Sequence, residues 1–232
     1  MKYAVLTGGS STIGRLVANE LIKNDFEVAL IGRDTQKLKE IGLPYIEADL
    51  SNTKNIDTLV NKILEKNKKI DLIANIAGVW HNSDSVFAGV DFEKFEDKTI
   101  TETMNVGILS PMLLVKKLIP NMATNSLITN LSGTFENGGK GWLPYFVSKR
   151  AIEDFTVGLA DELREKNIRV CGISPSDTAT ESYKKFFPQY IEDSLDPREI
   201  AKFVTDLYFN SKETGKIFVL KKDTKPFENF HY

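Results

Sequence analysis

Seven short runs rich in β-branched, aliphatic and aromatic residues punctuate the chain: Tyr3–Thr7, Glu27–Ile31, Tyr45–Ala48, Ile70–Asn75, Ser126–Leu131, Ile168–Ile173 and Lys216–Leu220. Several are apolar throughout instead of alternating, the pattern of strands covered on both faces. Between them lie stretches with helical periodicity: Ile13–Asn24, Asn55–Asn67, about Phe92–Met122, Tyr145–Lys166 and Pro197–Phe209. In the fourth, Ile152, Phe155, Leu159 and Leu163 make one apolar stripe, so the face that begins at Tyr145 turns inward. Strand–helix alternation over the whole length predicts an α/β fold, a doubly wound and mostly parallel sheet of seven strands with helices on both faces and right-handed crossovers. No repeat, linker or low-complexity tract interrupts it, so residues 1–232 read as a single domain.

Composition narrows the function. A chain of 232 residues with 41% hydrophobic and 27% charged residues suits one large globular unit. The formal net charge of −2 argues against a nucleic-acid partner, which a strong basic excess would signal. Cys171 is the only cysteine, which removes an internal disulfide and a cysteine zinc site, and His81 and His231 lie far apart without ligand spacing, so no metal site is expected. The first residues enter a strand-like run with no signal segment, and no apolar run approaches a membrane span; a cytoplasmic protein without a membrane partner is expected.

The first strand runs into Thr7-Gly8-Gly9-Ser10-Ser11-Thr12-Ile13-Gly14-Arg15, and a helix follows. A glycine- and serine-rich turn at a helix amino end presents free N–H groups and the positive end of the helix dipole to a phosphate. After the second strand come Gly32-Arg33-Asp34. An acidic residue near this strand end takes ribose hydroxyls in NAD-selective domains, whereas an arginine suits a 2′-phosphate. Arg33 therefore favours NADP, with NAD as the alternative if Asp34 serves a ribose. Asp49-Leu50 follows the third strand, where Asp49 either accepts from an adenine amino group or caps the next helix, a role open also to Ser51 and Asn52. Asn75-Ile76-Ala77-Gly78 ends the fourth strand with small residues that let backbone approach a ligand.

Ser132 precedes Tyr145 by twelve intervening residues, and Lys149 lies one helical turn beyond Tyr145. An ammonium on the same face as a phenol favours the phenolate and lowers its pKa. A tyrosine so tuned can exchange a proton with a substrate oxygen that a neighbouring serine hydroxyl holds, as carbonyl–alcohol interconversion requires.

Together these segments resemble the short-chain dehydrogenase/reductase family over essentially the whole chain: Thr7-Gly8 to Gly14, Asp49, Asn75-x-Ala77-Gly78, Asn105, Ser132, Tyr145-x-x-x-Lys149 and Pro175 to Thr180 occur in that family's order and spacing. The resemblance implies a Rossmann-type fold and hydride transfer between a nicotinamide cofactor and a small-molecule carbonyl or alcohol. It implies that Tyr145 is the general acid in reduction and the base in oxidation, and that Lys149 holds the nicotinamide ribose. Ser132 would orient the substrate oxygen, and Asn105 would anchor a water linking Lys149 to solvent. Pro175 and Thr180 would contact the nicotinamide end. It further implies a homodimer or homotetramer built on the helices at about 92–122 and 145–166. Three departures stand out: Thr12 where the family has glycine, Ser176 after Pro175 where glycine is usual, and Lys221-Lys222-Asp223 in place of a double glycine. Tyr183, Phe186, Phe187 and Tyr190 follow Thr180, and with Trp80 and Trp142 they imply a partly aromatic substrate pocket. The rival reading is a non-catalytic nucleotide sensor on the same fold, which Thr12 favours and the intact Ser-Tyr-Lys set opposes.

Overall fold

The computed structural model describes residues 1–136 and 138–232. Its centre is an eight-stranded sheet in the order β3-β2-β1-β4-β5-β6-β7-β8. The strands are β1 Lys2–Thr7, β2 Phe26–Gly32, β3 Tyr45–Glu47, β4 Ile70–Asn75, β5 Met122–Leu131, β6 Arg169–Pro175, β7 Lys216–Leu220 and β8 Phe227–Glu228. The first seven are parallel, and the two-residue β8 runs antiparallel to β7. The expectation of seven strands thus misses only β8, which is too short to carry a periodicity.

Successive side chains of a strand point to opposite faces, so each strand feeds two cores. In β1, Tyr3 and Val5 join Leu114, Val115 and Leu163, whereas Ala4 and Leu6 join Val17, Leu21, Ile200 and Val204. The first face is covered by α3 (Ile56–Leu64), α5 (Ser110–Leu118) and α6 (Leu143–Leu163), and the second by α1 (Thr12–Lys23) and α8 (Pro197–Phe209). The chain reverses direction of growth between β1 and β4, and ligands of such sheets bind in the crevice above that point.

The stretch at 92–122 is not one helix. After a short turn at Phe92–Lys94 come α4 (Asp97–Met104), a widened π turn at Asn105–Leu109, α5 and a closing turn at Ile119–Asn121. Pro111, in the first turn of α5, has no N–H to give to the preceding turn, and the interruption lies where that bond would be missing. Two short helices escaped the periodicity reading. They are α2 (Thr35–Ile41), capped by Asp34, and α7 (Glu181–Phe186), capped by Thr180. At six or seven residues each, local capping rather than an apolar stripe specifies them.

Candidate active site

A cleft of about 330 Å³ opens above the carboxyl ends of β1, β2 and β4. Gly8, Ser10, Ser11, Thr12, Ile13, Arg33, Asp49, Leu50, Ala77, Gly78, Tyr145, Lys149 and Thr180 all line it. The phosphate-type turn is shaped by two glycines. Gly8 has φ 72° and lies so close to the chain at Ala77 that an added Cβ would stand 2.9 Å from the Ala77 nitrogen. At Gly14 a Cβ would run into the Gly8 carbonyl, so only glycine lets α1 start against this turn. Ser11 caps α1, its Oγ accepting from the Gly14 N–H at 3.0 Å. Thr7 Oγ1 accepts from the backbone N–H groups of Ile76 and Ala77, which ties β1 to the end of β4. Thr12 stands where the resemblance expects glycine, but it occupies the first helical position of α1 and its φ is not positive, so a β-branched residue is unstrained there. Its hydroxyl accepts from the Glu181 N–H, so the departure from glycine has a partner in α7.

Asp34 is committed to the cap of α2, accepting from the Lys37 N–H at 3.1 Å. Arg33 is exposed at the cleft end, and Lys37 lines the cleft beside it. Asp49 accepts from the Ser51 N–H, and Asn52 from the Lys54 N–H, so Asn52 caps the turn at Thr53–Asn55. Asn75 is buried and donates to Asn130 Oδ1 at 2.8 Å, while its own Oδ1 has no partner among the described residues. A buried amide oxygen without a donor, one residue before Ile76, Ala77 and Gly78 of the cleft wall, is a polar group left free for a ligand or water. Together with the paired glycines and the start of α1, it makes the cleft fit a dinucleotide.

Lys149 is 2% exposed, and its Nζ donates to the Leu131 carbonyl at 2.6 Å. It lies 5.4 Å from the centroid of the half-buried Tyr145 ring, and both groups stand against Gly78. Burial lowers the Lys149 pKa to about 8, against the opposing pull of the Glu153 carboxylate. The expected lowering of the Tyr145 pKa by this ammonium is not seen: burial and, behind it, the Asp177 carboxylate push the phenol above its ordinary value. The physical reason is that partial withdrawal of the phenol from water, with the Asp177 carboxylate behind it, disfavours the phenolate more than the ammonium, 5.4 Å from the ring centroid, favours it.

Five expected residues are absent from the walls of the cleft: Gly14, Asn75, Asn105, Ser132 and Pro175. Asn105, at the start of the π turn, donates to the Ser51 carbonyl at 2.8 Å, and Ser110 Oγ donates to the Leu50 carbonyl at 2.6 Å. These two side chains hold the Asp49–Ser51 segment in place. Ser132 is 3% exposed, stands outside the walls of the cleft, and turns its hydroxyl to Glu153 and the Lys149 carbonyl. Pro175 ends β6, where its carbonyl accepts from the Thr134 N–H.

Sequence reasoning passed over several residues of the site. Glu153 is fully buried one turn beyond Lys149, and Tyr145, Lys149 and Glu153 at steps of four were a legible signal. His81 lines the cleft, its ring 4.3 Å from that of Trp80, and burial lowers its pKa. The aromatic residues anticipated for a pocket do cluster: Trp80 stacks near Phe187 at 6.3 Å, and Trp142 lies 6.1 Å from Phe187 and 6.3 Å from Tyr145. Tyr190 is exposed.

Residues 2–191 match the family model described as short chain dehydrogenase. An uncharacterized oxidoreductase of Staphylococcus saprophyticus is 31% identical over 224 residues, covering 87% of this chain and 88% of that protein. A very-long-chain 3-oxoacyl-CoA reductase of Anas platyrhynchos is 28% identical over 206 residues, covering 81% of this chain and 63% of that one. Among solved structures, a 3-ketoacyl-(acyl-carrier-protein) reductase from Brucella melitensis complexed with NADH superposes with a TM-score of 0.81 at 23% identity, covering 94% of this chain and 96% of that one. A short chain dehydrogenase from Burkholderia cenocepacia in complex with NADP gives a TM-score of 0.81 at 20% identity, covering 95% and 96%.

Proposed function

We propose, from the premise that this chain belongs to the short-chain dehydrogenase family, that it is an NADP-dependent oxidoreductase that reduces a small carbonyl compound with Tyr145 as general acid. The observation that carries the reading is the meeting of Tyr145 and Lys149 with the glycine turn in one cleft. A nicotinamide cofactor, when bound, supplies the hydride. Gly8, Ser10, Thr12, Ile13 and Gly14 would hold its phosphates at the start of α1, with Asp49 and Leu50 beside the base and Asn75, Ala77, Gly78, Pro175 and Thr180 toward the nicotinamide. NADP is favoured over NAD because Arg33 and Lys37 offer two cations at the cleft end against the single carboxylate of Asp34, which caps α2 and lies 4.0 Å from Lys37.

A phenol whose pKa stands above its ordinary value keeps its proton near neutrality. Tyr145 can then give that proton to a carbonyl oxygen as charge develops there, the part an acid plays in reduction. Lys149, as an ammonium, stabilises the phenolate left behind and takes up part of its charge. Trp80, Trp142, Phe187 and Tyr183 form an apolar wall near the phenol that suits an uncharged substrate. Among the described residues no helix is long and apolar enough to cross a membrane. A cytoplasmic setting and a homodimer or homotetramer are part of the same reading; the exposed Leu109, Met112 and Val147 stand on the helical stretches that would pair.

The test combines NADPH and NADH titration, followed by nicotinamide fluorescence, with turnover of a panel of aldehydes, ketones and quinones. Tyr145→Phe is expected to retain NADPH binding and lose turnover about 100- to 10,000-fold. A variant that keeps most of its rate removes Tyr145 from the acid role, and a wild-type protein that binds NADPH yet reduces nothing supports the sensor instead.

A further inference from the structure

Glu153 is 0% exposed, and a carboxylate taken out of water persists as a charge only if donors surround it. Three do. Ser132 Oγ donates to Oε1, the backbone N–H of His231 donates to Oε2 at 2.8 Å, and Arg150 Nη1 stands 3.3 Å from Oε2. They come from three parts of the chain: the exit of β5, the strap 229–232 after β8, and α6 itself. Arg150 reaches on through Nη2 to the Tyr232 carbonyl, which also accepts from the Phe135 N–H at 3.2 Å. The ring of Phe135 in turn lies edge-on to Tyr145 at 5.9 Å. On the other side, the Leu131 carbonyl next to Ser132 takes the Lys149 ammonium.

We propose that Glu153 is a positioning residue of the reduction site: through Ser132 and the strap 229–232 it fastens segment 131–135 to the helix that presents Tyr145 and Lys149. The proposal rests on the functional reading above and deepens it. A serine hydroxyl has one proton. In this arrangement Ser132 spends it on Glu153 or the Lys149 carbonyl, so its hydroxyl does not donate to a substrate oxygen. Ser132 then acts through position, and its effect on catalysis runs through the same fastening as that of Glu153. Glu153 also faces the Lys149 end of α6 with its negative charge, while Arg150 faces it from the same helix. His231 meets it only through backbone, since the His231 ring pairs with Asp154 at 3.2 Å.

The experiment compares Glu153→Gln, Ser132→Ala and the double variant in the full chain. Glutamine keeps the shape and loses the charge, so one donor is left unmatched. Hydrogen–deuterium exchange at residues 229–232 and 131–135 is expected to quicken about tenfold or more in Glu153→Gln, from the loss of a charge-assisted hydrogen bond. With NADPH and the best carbonyl substrate, kcat is expected to fall about 10- to 100-fold with NADPH affinity little changed, as for a reacting group set slightly out of place. The pH at which the rate falls through loss of the Lys149 proton is expected to move down. The double variant should be no slower than the worse single one. Unchanged exchange in the strap overturns the fastening whether or not the protein proves to be a reductase. A Ser132→Ala loss far exceeding that of Glu153→Gln overturns the shared path and returns Ser132 to direct substrate contact. If Glu153→Gln fails to fold, Ser132→Ala alone decides: faster exchange at 229–232 supports the proposal, and unchanged exchange defeats it.

Discussion

Thr12 Oγ1 accepts a hydrogen bond from the backbone N–H of Glu181 at 3.2 Å, so the first turn of α1 is joined to the first turn of α7. The Arg15–Glu181 ion pair doubles the connection, although both side chains are substantially exposed, at 33% and 64%. α7 begins at one wall of the cleft, with Thr180, Glu181 and Ser182 facing it. Thr12→Ala is expected to speed amide exchange across 180–186 about fivefold, the equivalent of a net hydrogen bond of roughly 1 kcal/mol. Arg15→Ala should have the smaller effect, because an exposed pair contributes little. If the order is reversed, the ion pair and not the hydroxyl holds α7.

Lys149 sets an alkaline boundary. Its folded pKa of about 8 lies below the ordinary lysine value, so the ammonium is present below that pH and is lost as the pH rises through it. Reduction that depends on that charge should therefore decline above about pH 8 in the wild-type protein. A kcat profile measured from pH 6 to 10 that stays flat would separate catalysis from the Lys149 charge.

Arg33→Ala should weaken NADPH about 10- to 100-fold by removing a charged partner of the 2′-phosphate, and leave NADH within about twofold. Titration of both cofactors at two salt concentrations checks it, and equal losses for NADPH and NADH would place Arg33 elsewhere in recognition.

Gly107 lies in the π turn, where an added Cβ would come 2.7 Å from both Cβ and Oγ of Ser148 on α6. Gly107→Ala should destabilise the fold by about 1–3 kcal/mol, as overpacking of an interior contact does. A denaturant midpoint equal to that of the wild type would mean that the two helices can part at no cost.

Much of this arrangement was legible because strands buried on two faces and long amphipathic helices write simple periods. β4 and β7 and the helix Pro197–Phe209 match the reading to the residue. The broken helix around Asn105 was not, since the interruption depends on one missing N–H at Pro111 within an otherwise continuous pattern. Nor did the spacing from Ser132 to Tyr145 reveal where the serine hydroxyl points, because chain distance does not specify a rotamer. Glu153 decides that, and a lone acid in an inward-facing stripe invites dismissal as a solvated group. The sign of the Tyr145 shift was hidden for a related reason: a motif announces the neighbouring cation but not the dryness of the site.

The short antiparallel pairing of Phe227 and Glu228 with Val219 and Phe218 has a bearing on how copies of this chain can meet. An unpaired outer strand is a template on which another molecule can extend the sheet. Here part of that template is already filled by the chain's own last residues, and the opposite margin offers only the three residues of β3. A ribbon continuing from one molecule to the next would have only the two residues of β8 at one margin and the three of β3 at the other to build on.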